Sequence, residues 1–300
     1  MKVKIQWKHD MDFDYGQLHQ VRPLVRRLMC RNPSLFTLHG TGTLVVGHGQ
    51  VAIIDPGPAI EEHIDCLLNE LGDEQVAAIL VTHTHRDHSP GASLLAARTG
   101  APTFGFGPHG IGRAEPATAL EAGADLNFAP QQRLLDGDRI DVGTTHVIAV
   151  HTPGHCRNHL CYRVPEADCV LSGDHVMGWS STVVVPPDGH MGDYMASLQR
   201  MTELPESTFV PAHGPAIEQP HRFTHDLLIH RRQREAQLVS CLREGVRHIP
   251  EMVRQCYVGL PQGLLPAAAA SMLAHALHLQ EQGQIRCLDE PNVSGTWALP

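Results

Sequence analysis

Lysine is almost absent from this chain: its only three copies, Lys2, Lys4 and Lys8, lie in the first eight residues. Aromatic residues are also scarce, at 5%. Neither a broad phosphate-neutralising surface nor a row of base-stacking platforms is therefore to be expected, and any nucleic-acid binding should be weak. Residues 1–10 carry positive charge with no apolar core behind it, so the sequence predicts no export signal and no membrane partner; the expected location is cytoplasmic. The eight cysteines (Cys30, Cys66, Cys156, Cys161, Cys169, Cys241, Cys256, Cys287) include no Cys-x-x-Cys pair, which suits reduced thiols better than a disulfide framework.

What remains is an ordinary globular composition. The chain has 300 residues, 42% hydrophobic and 18% charged, enough for one large domain or two smaller ones. Its net charge of −9 is unevenly placed: residues 1–35 carry +4, residues 36–220 carry −14, and residues 221–300 carry +1. The acidic middle holds the chemistry.

That chemistry starts at Thr82-His83-Thr84-His85-Arg86-Asp87-His88, where three histidines and an aspartate follow an apolar run. Residues 77–82 read as a buried strand. Residues two apart on a strand point the same way, so His83 and His85 can present imidazoles to one ion, with Asp87 and His88 facing a neighbouring point. Ser89 is suited to cap a helix and Pro90 to its first position, so the motif should end where a helix begins.

Around it, residues 43–46 and 51–55 are expected to be strands joined by a turn at Gly47-His48-Gly49-Gln50. Helices are expected at residues 60–71 and 89–99, the second closed by Gly100, and a strand at 103–106. Residues 105–124 read as loop, with one helical turn at most. Strands follow at 139–142, 146–151, 160–164 and 169–172, then a helix at 193–204 and a short strand at 209–211. Two sheets packed face to face with helices outside, a four-layer α/β/β/α sandwich, fit this order. The domain reading is an N-terminal arm over residues 1–35, a catalytic domain over 36–218, and a small winged-helix-like unit over 219–300 with helices at 222–244, 250–257 and 266–282.

Three later strand ends each offer another donor: His155 in Thr-Pro-Gly-His, Asp174 in Ser-Gly-Asp-His, and His213 in Pro-Ala-His-Gly. Taken with the first motif, this order resembles the metallo-β-lactamase superfamily over residues 36–218. Gly173 to Trp179, Tyr194 to Leu198, His213-Gly214-Pro215 and His230-Arg231 extend the resemblance to a β-lactamase-like subfamily with a C-terminal winged helix. That subfamily includes a single-strand endoribonuclease and is related to glyoxalase II-like hydrolases. The resemblance implies that His83, His85 and His155 hold one metal, that Asp87, His88 and His213 hold a second, and that Asp174 bridges them.

Two divalent ions are implied, zinc being favoured and iron or manganese being alternatives. They would share a bridging hydroxide as nucleophile, with Asp87 and His159 as catalytic residues. His159 and Asp55 could instead orient a ligand or the water; for Asp55 a plain turn role in Asp-Pro-Gly is an equal reading. Antibiotic hydrolysis is disfavoured, because the exported β-lactamases of this fold lack the bridging aspartate that Asp174 supplies here. The expected substrate is a small ester or thioester. An endoribonuclease using the same metals is the alternative, and a nucleic-acid binder with a structural metal site the more distant one. The basic cluster Arg231, Arg232 and Arg234 reads as a solvated or domain-packing face, because the helix expected to read a groove, residues 266–282, has no Arg or Lys.

Overall fold

The computed structural model describes residues 3, 5–113, 121 and 123–300. Its first sheet opens with β1 (His19–Arg22) and β2 (Val25–Met29). The hairpin β3 (Gly42–His48) and β4 (Gln50–Ile54) follows, turning on Gly49 at φ 73°. Helix α1 (Glu61–Leu71) leads to β5 (Gln75–Leu80), α2 (Gly91–Thr99) leads to β6 (Thr103–Gly105), and β7 (Gln132–Arg133) forms the edge. The strands lie in chain order, antiparallel from β1 to β4 and parallel from β4 to β7.

Residues 1–35 are therefore not one arm. Residues 19–29 join the sheet, with Val25 and Leu28 fully buried against its opposite faces. The adjacent Arg26 and Arg27 hide this strand in the sequence, and the fold gives each of them a partner. Arg26 pairs with Glu74 at 2.7 Å, and Arg27 donates to Gly214 O at 2.8 Å. Only the segment before β1 behaves as an arm: Ile5 is buried, and Lys8 N donates to Gly178 O at 3.0 Å.

The second sheet contains β8 (Arg139–Val142), β9 (Thr145–His151), β10 (Leu160–Val164), β11 (Cys169–Gly173) and β12 (Thr208–Pro211), in the order β12-β11-β10-β9-β8. Helix α3 (Met191–Met201) carries the chain from β11 to its parallel neighbour β12. Strand side chains alternate between faces, and here both faces of both sheets are covered. Leu44, Val46 and Ile54 meet Ala149, Leu160 and Tyr162 between the sheets. Val45, Ile53 and Ile79 pack outward on Ile64 and Leu67 of α1 and Leu95 of α2. Val150, Val170 and Phe209 pack on Tyr194 and Leu198 of α3 and on Leu227. The result is the expected α/β/β/α sandwich.

Helix α1 shows why these elements form. It places Glu61 and Glu62 in its first turn, buries the spaced stripe Ile64, Leu67 and Leu71, and stops at Gly72 with φ 58°. Helix α2 starts differently from expectation. Pro90, not Ser89, occupies its N-cap, and Ser89 instead donates to Asp125 Oδ2 at 2.6 Å. Gly91 is needed there, because a Cβ would lie 2.7 Å from Pro56 O. That close approach clamps the helix onto the loop carrying Asp55. Part of the expected loop 105–124, namely residues 114–120 and 122, lies outside the described residues.

Beyond the sandwich come α4 (Pro220–Arg243), α5 (Ile249–Cys256), α6 (Leu265–Glu281) and a ribbon of β13 (Arg286–Cys287) and β14 (Trp297–Ala298). Leu238, Met252, Leu273 and Trp297 form their shared core. This is the winged-helix arrangement. No helix among the described residues is long and apolar enough to cross a membrane, and all eight cysteines are free.

Candidate metal centre

The sandwich brings the loops after β5, β9, β11 and β12 to one edge, and the sequence-identified donors converge there. In the first set, His83 Nε2 lies 2.9 Å from His85 Nδ1, and His155 Nε2 lies 3.3 Å and 3.1 Å from these two atoms. Each ring is engaged by its other nitrogen. His83 Nδ1 meets Thr82 Oγ1 at 3.0 Å, His85 Nε2 meets Cys156 Sγ at 3.3 Å, and His155 Nδ1 donates to Val183 O at 2.6 Å. With the outer nitrogens holding the protons, three inner lone pairs face a common point, the tautomers that imidazole ligation requires.

The second set is Asp87, His88 and His213. Asp87 Oδ2 lies 3.5 Å from His88 Nε2 and 3.2 Å from His213 Nε2. Asp174 stands between the sets: Oδ1 is 3.6 Å from His88 Nε2 and 3.3 Å from His213 Nε2, while Oδ2 is 3.8 Å from His155 Nε2. His88 Nε2, His213 Nε2 and Asp174 Oδ1 are buried and lack hydrogen-bond partners. Buried orphan donors of this kind are costly unless something charged fills the space between them. Five imidazoles and two carboxylates, arranged as two groups sharing one carboxylate, fit a pair of divalent cations.

The electrostatics agree with that fit. Burial above all, together with neighbouring histidines, holds His83 well below the usual histidine range and His85 down to about 3; burial also lowers His155. The first set is therefore neutral and ready to ligate. Burial opposes charge on His88 and His213 too, but Asp87, Asp174 and Asp55 outweigh it for His88, and Asp174 and Asp87 do so for His213. Both are raised. Burial likewise pushes the two carboxylates up, yet His88 and His213 hold Asp87 and Asp174 low. The second set thus attracts positive charge, which protons supply where no cation does.

Behind the donors lies a relay that the sequence showed only in part. Asp55 Oδ1 accepts from Thr82 N at 2.7 Å, and Asp55 Oδ2 accepts from Thr82 Oγ1 at 2.6 Å and from His88 Nδ1 at 2.9 Å. One carboxylate thereby orients His88 directly and His83 through the Thr82 hydroxyl, so of its two readings the turn residue also proves to be the orienting one. Asp55 sits at φ 50°, a left-handed conformation that Asp tolerates better than most residues. Its shape suits the turn and its charge suits the relay.

His159, expected among the catalytic residues, lies beside His83 with both ring nitrogens engaged. It is fully buried; Nδ1 meets Thr152 Oγ1 at 2.9 Å, and Nε2 accepts from Asp174 N at 3.2 Å. Its position is that of a brace for the Asp174 backbone, because the strand turns at Gly173 directly against its ring. Cys156 is a buried thiol whose burial raises it well above the usual cysteine range, and it serves as the partner of His85 Nε2.

Several supports had no sequence signal. Thr82 could have been noticed as a hydroxyl directly before the motif. Gly40 O, which accepts from His213 Nδ1 at 3.1 Å, and Val183 O could not, because a carbonyl is present at every residue. The appended helices also take part. Ser271 Oγ of α6 accepts from Val184 N at 3.1 Å, beside the residue that holds His155. Helix α6 is largely buried against α3, α4 and α5, so it is not free to enter a nucleic-acid groove. Arg231, one of the basic cluster, is only 2% exposed, and Arg234 donates to Cys256 O. They pack the domains rather than form a phosphate-facing patch.

Comparison with known proteins matches this picture. Residues 37–213 match the metallo-beta-lactamase superfamily model, and residues 249–297 match the beta-lactamase associated winged helix domain. A lactamase-like protein, adaB, of Aspergillus niger is 28% identical over 92% of this chain and 86% of its own length. The atrochrysone carboxyl ACP thioesterase nsrC of Aspergillus novofumigatus is 31% identical over 77% of this chain and 66% of its own. In fold, a beta-lactamase domain protein from Burkholderia ambifaria superposes with a TM-score of 0.78 at 22% identity, covering 97% of this chain and 96% of that one. The chain belongs to the metallo-beta-lactamase superfamily, as a hydrolase that carries the winged-helix domain associated with that fold.

Proposed function

We propose that the protein is a dinuclear metal-dependent hydrolase of small thioesters or esters. The observation that carries this reading is the position of Asp174, with one carboxylate oxygen turned towards His155 and the other towards His88 and His213. In this proposal His83, His85 and His155 would hold one divalent ion, Asp87, His88 and His213 would hold the other, and Asp174 lies where it could serve either. Zinc suits the mixture of imidazole and carboxylate, with iron and manganese as alternatives. Such ions would supply an acidified water and polarise a carbonyl.

The chain's own groups do the rest. Asp87 is the most accessible donor of the second set: its side chain is 29% exposed, against 11% for Asp174 and 0% for His88 and His213. It is therefore the carboxylate in reach of a substrate-side water, and the Asp87 oxygen not turned towards His88 and His213 would accept the proton of the attacking water. Asp55 and Thr82 hold His83 and His88 in their ligating tautomers, and His159 keeps Asp174 in register. The name of the Aspergillus novofumigatus relative supports a thioester as the bond broken.

The test is a turnover screen of metal-loaded protein with simple acyl thioesters, esters and short single-stranded RNA, alongside metal counting. Two ions per chain and faster turnover of thioesters than of RNA are expected. One ion per chain would defeat the dinuclear reading, and RNA cleavage with steeply salt-dependent binding and no esterase activity would replace the thioesterase with the endoribonuclease.

A further inference from the structure

A cavity of about 120 Å³ lies between the sandwich and the appended helices. Its walls are Leu35 and Phe36 from the loop before β3, Trp179 from the segment after β11, and Tyr257 and Leu264 from the winged-helix domain. Leu35 and Phe36 are 51% and 50% exposed, unusual for large apolar side chains that line a cavity.

The walls contributed by the sandwich are tied to the candidate metal centre. The loop bearing Leu35 continues to Gly40, whose carbonyl holds His213. Trp179 lies against Gly214, where a Cβ would come within 2.7 Å of its Cδ1. Thr182 Oγ1, also lining the cavity, donates to Asp174 O at 2.6 Å, and its neighbour Val183 holds His155.

Among these apolar walls stands one charged residue, Arg231. It is 2% exposed, its Nη2 donates to Thr182 O, and its guanidinium lies 4.8 Å from the centre of the Tyr194 ring. Its Nε has no partner, and no carboxylate lies within ion-pair distance of it among the described residues. The nearest acid along α4, Glu235, is engaged by His275 at 3.5 Å and His278 at 2.7 Å. A buried cation without a counter-ion is costly, and an anionic ligand removes that cost.

We propose that this groove receives the acyl part of the substrate, and that the preferred acyl group is apolar, ring-sized and carries its own carboxylate, which pairs with Arg231. This rests on the hydrolase reading above and adds the substrate class. The apolar walls take the ring and the guanidinium takes the carboxylate, in a groove whose neighbouring segments hold His155, Asp174 and His213.

The test has a binding arm and a turnover arm, both on the metal-loaded full chain. Phenylacetate and phenylacetamide are titrated against the fluorescence of Trp179, with Trp179→Phe marking the contribution of the other tryptophans. Both compounds should perturb Trp179. The anion should bind at least about tenfold tighter, the worth of one charge-assisted hydrogen bond. Arg231→Gln should erase that difference and Arg231→Lys should restore part of it.

In turnover, the monothioester of 1,4-phenylenediacetic acid should show a KM at least about tenfold below that of the phenylacetyl thioester, and Arg231→Gln should remove the gap. Should that variant not fold, Ala267→Phe fills the groove instead, and must weaken both ring compounds. An anion preference that survives in Arg231→Gln reports binding elsewhere and overturns the proposal, as does an unchanged Trp179 signal. Arg231-dependent binding without thioester turnover keeps the groove and sinks the thioesterase reading. Thioester turnover indifferent to Arg231 does the reverse.

Discussion

Replacing Asp55 by Asn tests the relay behind the metal centre with little other disturbance. Asn has the same shape as Asp and shares its tolerance of the left-handed backbone, so the turn at φ 50° should persist. What changes is hydrogen-bond polarity. The carboxylate accepts three bonds, from Thr82 N, Thr82 Oγ1 and His88 Nδ1. An amide oxygen can still serve Thr82 N, but the NH₂ then faces two donors at the Oδ2 position. His88 meets this by moving its proton to Nε2, which removes the lone pair aimed at Asp87 and Asp174. Loss of such an outer partner typically weakens metal binding about 10- to 100-fold, or about 1.4 to 2.8 kcal/mol.

The loss should be unequal. His88 is bonded to Asp55 directly, whereas His83 is reached only through a hydroxyl that can rotate, so the second metal should be released first. Chelator competition followed by metal counting reads this as a drop from two ions to one per chain at intermediate chelator. Two equally weakened ions would refute the asymmetry, and wild-type affinity for both would refute the relay. Folding stability should fall by roughly 1.5 to 3 kcal/mol, the worth of a hydrogen bond to a charged group.

Asp87→Asn should leave the fold intact and lower turnover by at least about 100-fold, since an amide cannot take the water's proton; near-normal rates with both metals bound would remove Asp87 from the chemistry. Gly173→Ala should destabilise by roughly 1 to 3 kcal/mol in chemical denaturation, because Gly173 has φ 51° and a Cβ there would lie 2.7 Å from His159 Nε2; an unchanged midpoint would mean that the Gly173–His159 contact is not tight. Acidification should destabilise the metal-free protein. Burial lowers His63 and His275 to about 4 and His85, His175 and His230 to about 3, so the unfolded chain binds more protons than the folded one between about pH 6.5 and 3, and stability present above 6.5 is lost as pH falls through that window. The raised His88 and His213 oppose this, contributing stability below 6.5 that is lost as pH rises through their folded values. Urea midpoints in chelator at pH 7 and 5 compare the two groups; a higher midpoint at pH 5 would give the raised pair the larger share.

The seven candidate donors could be read from the chain, because metal ligation needs particular side chains and because four of them sit within six residues. Their local spacing puts His83, His85, Asp87 and His88 near one another in almost any strand-to-loop geometry. The sandwich was legible for a similar reason: strands buried on both faces and amphipathic helices leave periodic signatures, as in the stripe along α1. Where such a signature was broken, as by Arg26 and Arg27 in β2, the strand could not be seen.

Only the tertiary structure decided what the remaining polar groups do. Asp55 and Thr82 are 27 residues apart, and nothing local joins them; parallel pairing of β4 with β5 does. His159 meets the Asp174 amide only through the turn at Gly173. The carbonyls of Gly40 and Val183 are chemically the same as every other carbonyl in the chain, so only their position distinguishes them. Arg231 belonged to a charge cluster in the sequence and became a buried guanidinium against Thr182 and Tyr194 once α4 and α6 packed on the sandwich. Ligand identity is written in side-chain chemistry, whereas orientation, exposure and partnership arise from contacts between residues far apart in the chain.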